Sequence, residues 1–411
     1  MADQPAGMAL TAPPTTEERI KGFSLYAPWL QQDPITYWKE IQEVGPVLRS
    51  EQHGGFWILT RHEDIAWAAR NPEIFASREM LIPYRSTFAA DEREIPLGLD
   101  GEVHRKWRQA IVDTFKPATV NHFTPAIRQA ATELADNLAG RDGCEFIRDF
   151  AVALPGEAFL IDYGIGRDRL PELLAFKDWF VREALPNARS DEEVIAAAEP
   201  LRDFFAEVIE QRRRDDDPDA RDVISHLLRA TYDGRPLTMA EMTNTSLVTM
   251  MASLDTTTSA LGLSWAWLAR NPETRRAVLA DPSKTPALIE ELLRHEPVLS
   301  TARVVTRDVQ LHGVTLHEGD MVLLSWGMSG LDPDVFASPD EVDLARAPGN
   351  QLAFGVGPHR CLGMHLARRI LSIAFEVWHA RIPEYHLDPA NPPVSHYSAV
   401  RGLSRLDLVF D

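Results

Sequence analysis

A chain of 411 residues with 45% hydrophobic and 25% charged residues has the make-up of an ordinary globular protein with ample material for a core. Its net charge of −19 argues against nucleic acid or an anionic membrane as partner, since both select basic surfaces. Two cysteines, Cys144 and Cys361, make no disulfide framework and fit a reducing compartment, so a cytoplasmic location is expected.

The first twenty residues are polar and Pro-rich without an apolar core. They predict a flexible N-terminal segment over 1–20, no signal peptide, and one domain over 21–411. No run approaches the ~20 apolar residues that cross a bilayer, so no membrane is expected. A strand pair is predicted at 47–49 and 56–60, with Gly54 and Gly55 near the turn. From 102 to 296 the pattern is almost wholly helical. Its clearest helix runs over 238–270, opened by the capping box Thr238-Met239-Ala240-Glu241 and stopped by Asn271-Pro272. The middle of this helix reads Ser253-Leu254-Asp255-Thr256-Thr257-Thr258, and polar groups within a buried helix are costly unless paired. Either the threonines bond back to carbonyls one turn earlier, or the helix is locally opened at a cleft. A further helix starts at Thr285-Pro286 and ends before Pro297, with Glu291 and Arg294 on one face. A second strand pair is predicted at 309–312 and 321–325, with turns at Gly313 and Gly319.

The densest signal is Phe354-Gly355-Val356-Gly357-Pro358-His359-Arg360-Cys361-Leu362-Gly363, followed at once by a helical pattern over 364–378. Cys361 thus sits where a loop becomes a helix, and unpaired N–H groups and the helix dipole there favour thiolate. The glycines open the backbone to something large and flat. That combination describes an axial haem ligand; a buried structural cysteine in a loop is the plainer alternative.

Phe354, Gly357, His359, Cys361 and Gly363 reproduce, at its usual spacing, the haem-binding signature of the cytochromes P-450, which the chain therefore resembles. Matching segments extend from about residue 100 to residue 402. The resemblance implies a mainly α fold with small β-sheets, a single large domain, and haem b (iron protoporphyrin IX) between the long central helix and the Cys-bearing loop. Cys361 is then the iron ligand. His104, Arg108, Arg303 and His359 become partners of the haem propionates, and Ala252, Phe354, Gly355 and Gly363 complete the cofactor contacts. Ala252-Ser253-Leu254-Asp255-Thr256 aligns with the family's Ala-Gly-x-Asp/Glu-Thr, which gives Asp255 and Thr256 the delivery of protons to dioxygen; Ser253 replaces the usual Gly. Glu291 and Arg294 match a Glu-x-x-Arg motif that pairs with a later arginine, here Arg346. Ile370 stands where the family usually has Glu.

By the same resemblance Tyr84, Leu97, Trp179, Val248, Met251, Ala252, Leu299 and Val400 line the substrate pocket. They are nearly all apolar, implying a small to medium hydrophobic substrate such as a terpenoid, aromatic or steroid-like molecule. The activity implied is a monooxygenase that inserts one atom of O2 into a C–H bond. Its electrons come from a ferredoxin-type donor with its reductase, and a monomer is expected. Arg105, Lys106, Lys116, Arg360, Arg368 and Arg369 form a candidate docking patch for that acidic donor. A peroxide-driven haem enzyme or a haem isomerase is the alternative. A zinc site at His359, Cys361 and His365 is disfavoured because structural zinc wants four ligands.

Overall fold

The computed structural model describes residues 15–83, 93–215 and 217–411. Helix Thr16–Lys21 already carries a complete capping box from Thr15 and Glu18, so ordered structure begins inside the segment expected to be flexible. Most of the described chain is helical. The principal sheet has five strands in the order Val47–Ser50, Phe56–Leu59, Met321–Ser325, Ser300–Val305, Phe75–Ala76.

The first strand pair forms as expected, antiparallel from Val47↔Leu59 to Ser50↔Phe56. The second does not. Val309–Leu311 pairs with Val314–Leu316, because His312 (φ 49°) and Gly313 (φ 79°) close a tight turn directly between them. Met321–Ser325 instead runs parallel to Phe56–Leu59 and antiparallel to Ser300–Val305. Its apolar run is buried almost throughout, as suits an interior strand rather than one arm of a surface hairpin.

Helix Met239–Arg270 is the spine of the molecule. Its first half (Met242, Leu247, Val248, Met250, Leu254) packs with Phe159, Phe204 and Phe205 in one apolar cluster. Its second half (Leu261, Trp265, Leu268) packs with Phe146, Phe150 and Trp378 in another. The polar stretch at 253–258 therefore falls at the junction of two cores. The helix is continuous there, and Thr256 Oγ1 donates back to the Ala252 carbonyl at 2.7 Å. Back-bonding, not local opening, accommodates the polar residues. None of the described helices is long and apolar enough to cross a membrane.

Glu291, Arg294 and Arg346 form a buried network. Arg294 Nε donates to Glu291 at 2.9 Å and Arg346 Nε at 3.1 Å. Arg294 also donates to the carbonyls of Gly330, Pro339 and Glu341. It fixes the irregular chain that leads to the cysteine loop, which a surface ion pair could not do. Ile370 is 3% exposed inside the second core. A carboxylate at that position would lie among apolar side chains, so the departure from Glu follows from the packing.

Candidate active site

The cysteine loop closes on itself. Cys361 N–H donates to the Phe354 carbonyl at 2.8 Å, and Arg360 N–H to that of Gly357 at 3.1 Å. Two glycines have separate reasons. Gly355 takes φ 67°. Gly357 takes φ 78°, and a Cβ there would stand 2.6 Å from the Ala69 carbonyl oxygen. The second glycine thus seats the loop against helix His62–Arg70 rather than opening it to a ligand. Phe354 is capped by the Arg368 guanidinium, 4.5 Å from the ring centroid, and Arg368 is held by two bonds to Glu290.

Gly363 caps helix Met364–His379. Cys361 presents an exposed side while protein crowds the rest of it. Burial pushes its thiol up. The N–H groups of Gly363 and Met364 and the charges of Arg108 and Arg368 pull the other way without prevailing. The helix terminus thus acts in the direction expected from sequence, towards thiolate, but burial outweighs it; a bound iron would add positive charge at the sulfur. Among the described residues no three His, Cys, Asp or Glu side chains cluster as metal ligands.

The four expected propionate partners come together. The rings of His104 and His359 stack at 4.0 Å. His359 Nε2 bonds Asp100 Oδ1 at 2.9 Å, and Asp100 Oδ2 accepts from Ser77 N–H at 2.6 Å. Burial, then the neighbouring His359 and Arg108, lower His104 to about 3, so it is neutral. Burial pushes Asp100 up, but the bonds from His359 and Ser77 carry it below the usual carboxylate range. Arg303 is 3% exposed. The hydrogen bond its guanidinium makes among the described residues goes to the Ala302 carbonyl, and burial draws it down to about 10. A nearly buried guanidinium sharing one carboxylate with a histidine, beside Arg108, is an under-neutralised cluster. It fits a ligand with a negative edge, as the haem propionates supply.

On the central helix, Ala252 is exposed although Met250 and Leu254 on either side are 1% and 2% exposed. The open face of the helix lies at the predicted turn. Val248 belongs to the large apolar cluster against which Leu97, Met251 and Leu362, the neighbour of Cys361, each pack. Leu299 and Val400 meet in an isolated β-bridge. Trp179 stands apart, 41% exposed and edge-on to Phe176. Tyr84 lies outside the described residues.

Asp255 and Thr256 are adjacent, but no hydrogen bond joins their side chains among the described residues. Asp255 instead accepts from Lys177 Nζ at 2.8 Å. Lys177, on helix Leu170–Trp179, also meets Asp178 at 3.0 Å. Burial opposes its charge, and the two carboxylates more than restore it. Ser253 donates to the Met250 carbonyl.

The expected docking patch is weaker than its sequence suggests. Arg105, Lys106, Lys116 and Arg368 are paired with Glu102, Asp233, Asp113 and Glu290, and Arg369 bonds Asn121. A 150 Å³ cleft beside Cys361 is lined by Val112, Phe115, Pro117, Leu362 and Met364 as well as by Lys116 and Arg360.

Asp100, Lys177 and Glu290 were not foreseen. Asp100 stands at the N-cap of helix Gly101–Ile111 without capping it, its carboxylate being diverted to His359 and Ser77. Lys177 follows buried Leu173 by one turn, and a charge in an apolar stripe is the one sequence signal that marked it.

Residues 176–377 match the family model "Cytochrome P450". The chain is 31% identical to the "Probable cytochrome P450 127A1" of Sinorhizobium fredii, over 95% of this chain and 94% of that one. It is also 31% identical to the "Nocardicin C N-oxygenase" of Nocardia uniformis, over 82% and 84%. The crystal structure of CYP101J2 superposes with a TM-score of 0.85 at 28% identity, covering 98% of this chain and all of that one. The chain belongs to the cytochrome P450 family of haem b-binding, haem-thiolate monooxygenases.

Proposed function

We propose that the protein inserts one oxygen atom from O2 into a C–H bond of a small to medium hydrophobic molecule, using electrons from a ferredoxin-type donor. The observation that carries this reading is the exposed turn at Ala252 on the central helix, at the junction of two apolar cores, with Thr256 one turn on. In this reading haem, held by Cys361 and by His104, Arg108, Arg303 and His359, supplies dioxygen activation and oxygen transfer.

This chain's own residues do the rest. Val248, Met251, Leu97 and the Leu299–Val400 bridge offer an apolar wall that binds by excluding water. The Thr256 hydroxyl donates its proton to the Ala252 carbonyl; its oxygen can accept a hydrogen bond in that state, and to relay a proton it turns its own away from the carbonyl towards the acceptor as it takes another in. Asp255 holds the reserve carboxylate, tethered to Lys177. The relative named for N-oxygenation is a protein acting on nitrogen; the wall of this pocket favours carbon. Thr256→Ala tests the relay: donor consumption should continue while product per electron falls severalfold. Unchanged coupling would remove Thr256 from the role.

One observation favours a second reading. With its carboxylate on Lys177, Asp255 is not aimed at Thr256, as a peroxide-driven enzyme would permit. Turnover with hydrogen peroxide matching that with donor and O2 would favour it.

A further inference from the structure

Asn244 lies on the central helix four residues before Val248 and eight before Ala252, so the three share one face. It is 7% exposed, and both ends of its carboxamide are engaged. Oδ1 accepts the Ile95 N–H at 2.9 Å, and Nδ2 donates to the Arg93 carbonyl at 2.9 Å. A side chain thereby supplies this segment with a donor and an acceptor that a neighbouring strand would otherwise provide.

The same segment is tied at its other end by Asp100, through Ser77 and His359. Between the two anchors Ile95, Leu97 and Leu99 pack, partly buried, against the cluster that contains Val248, with Met251 beside them. The wall is thus pinned once to the central helix and once to the cation cluster.

We propose that Asn244 is a positioning residue for substrate selection: it clamps Arg93 and Ile95 to the central helix and so sets how far Leu97 stands from Val248 and Met251. The proposal rests on the haem-thiolate reading of this pocket. The amide is required chemically. Aspartate keeps an acceptor for Ile95 N–H but turns an oxygen towards the Arg93 carbonyl. Alanine leaves both backbone groups unpaired.

The test uses the ferric haem protein with imidazole and 4-phenylimidazole, a small and a bulky probe of the same ligating nitrogen, followed by stopped-flow absorbance. Asn244→Ala and Asn244→Asp should both release 4-phenylimidazole about tenfold faster, as expected from the loss of one or two buried hydrogen bonds. The affinity ratio of the bulky to the small probe should shift, with imidazole binding itself near wild type. An unchanged ratio in either variant that keeps its haem would overturn the proposal and leave Asn244 a structural residue, even if that variant melts lower. Should Asn244→Ala fail to fold, Asn244→Asp, which retains one bond, carries the test. Failure of the haem-thiolate reading would be seen separately, as a reduced, carbon monoxide-bound Soret band at the ordinary haem position in the wild-type protein.

Discussion

Arg303→Met should move two quantities in opposite directions. Arg303 is 3% exposed and bonds the Ala302 carbonyl. Burial lowers its guanidinium from 12.5 to about 10, with Asp100 recovering part of the loss. That interval corresponds to ~3 kcal/mol of penalty for keeping the charge in protein alone. A propionate returns ~1.5–3 kcal/mol for each charge-assisted bond. Methionine fills similar space, carries no charge and gives up the bond to Ala302. The haem-free variant should therefore melt higher than haem-free wild type, by a few degrees in calorimetry once the lost carbonyl bond is deducted. The haem-loaded variant should give up haem to excess apomyoglobin about 10–100-fold faster. A haem-free variant that melts lower, together with an unchanged rate of haem transfer, would refute the view of Arg303 as a cation held for an anionic ligand.

Lys177→Met frees Asp255 from its partner and should raise coupled product formation severalfold if Asp255 supplies protons; an unchanged rate removes Asp255 from the relay. The stability cost should be ~1–2 kcal/mol, less than for a fully buried pair, because the Asp255 and Asp178 side chains keep 26% and 43% exposure. Burial pushes Glu291 up, but Arg294, the Asp343 N–H and Arg346 hold it below the usual range. A carboxyl lowered on folding adds stability above its unfolded value near 4.5, and that stability is lost as pH falls through the folded value. Glu291→Gln should therefore cost ~3 kcal/mol at pH 7 and flatten the acid limb of the melting curve; an acid limb as steep as wild type would place the loss elsewhere. Because most cations near Cys361 are already paired, raising salt from about 0.05 to about 0.3 M should slow reduction by the donor less than about threefold. A tenfold fall in stopped-flow reduction would mean that those pairs open on docking.

Much of this architecture was legible because its signals are local. The Thr238–Glu241 box and the Asn271 stop mark the central helix at both ends, and each is a contact within one turn. The cysteine loop was legible for a related reason: its glycines, Cys361 and the following helix are contiguous. What escaped depends on distance in the chain. Met321–Ser325 sits between Ser300–Val305 and Phe56–Leu59, and its second neighbour, far away in the chain, leaves no local trace. Asp100 carries no distinguishing signal in its own neighbourhood, and only the fold shows its carboxylate turned to His359. Lys177 and Asp255 are separated by 78 residues, and no local pattern couples them. At Cys361 the helix terminus acts in the direction its position implies, while the burial that outweighs it comes from parts of the chain no local pattern reveals.

The absorption spectrum of the purified, dithionite-reduced protein under carbon monoxide tests the central claim most directly. Cys361 bound to haem iron as thiolate predicts a Soret band shifted far to the red, lost in Cys361→His while haem is retained. A band at the ordinary haem–CO position in the wild-type protein would contradict thiolate ligation by Cys361 and, with it, the account of the site.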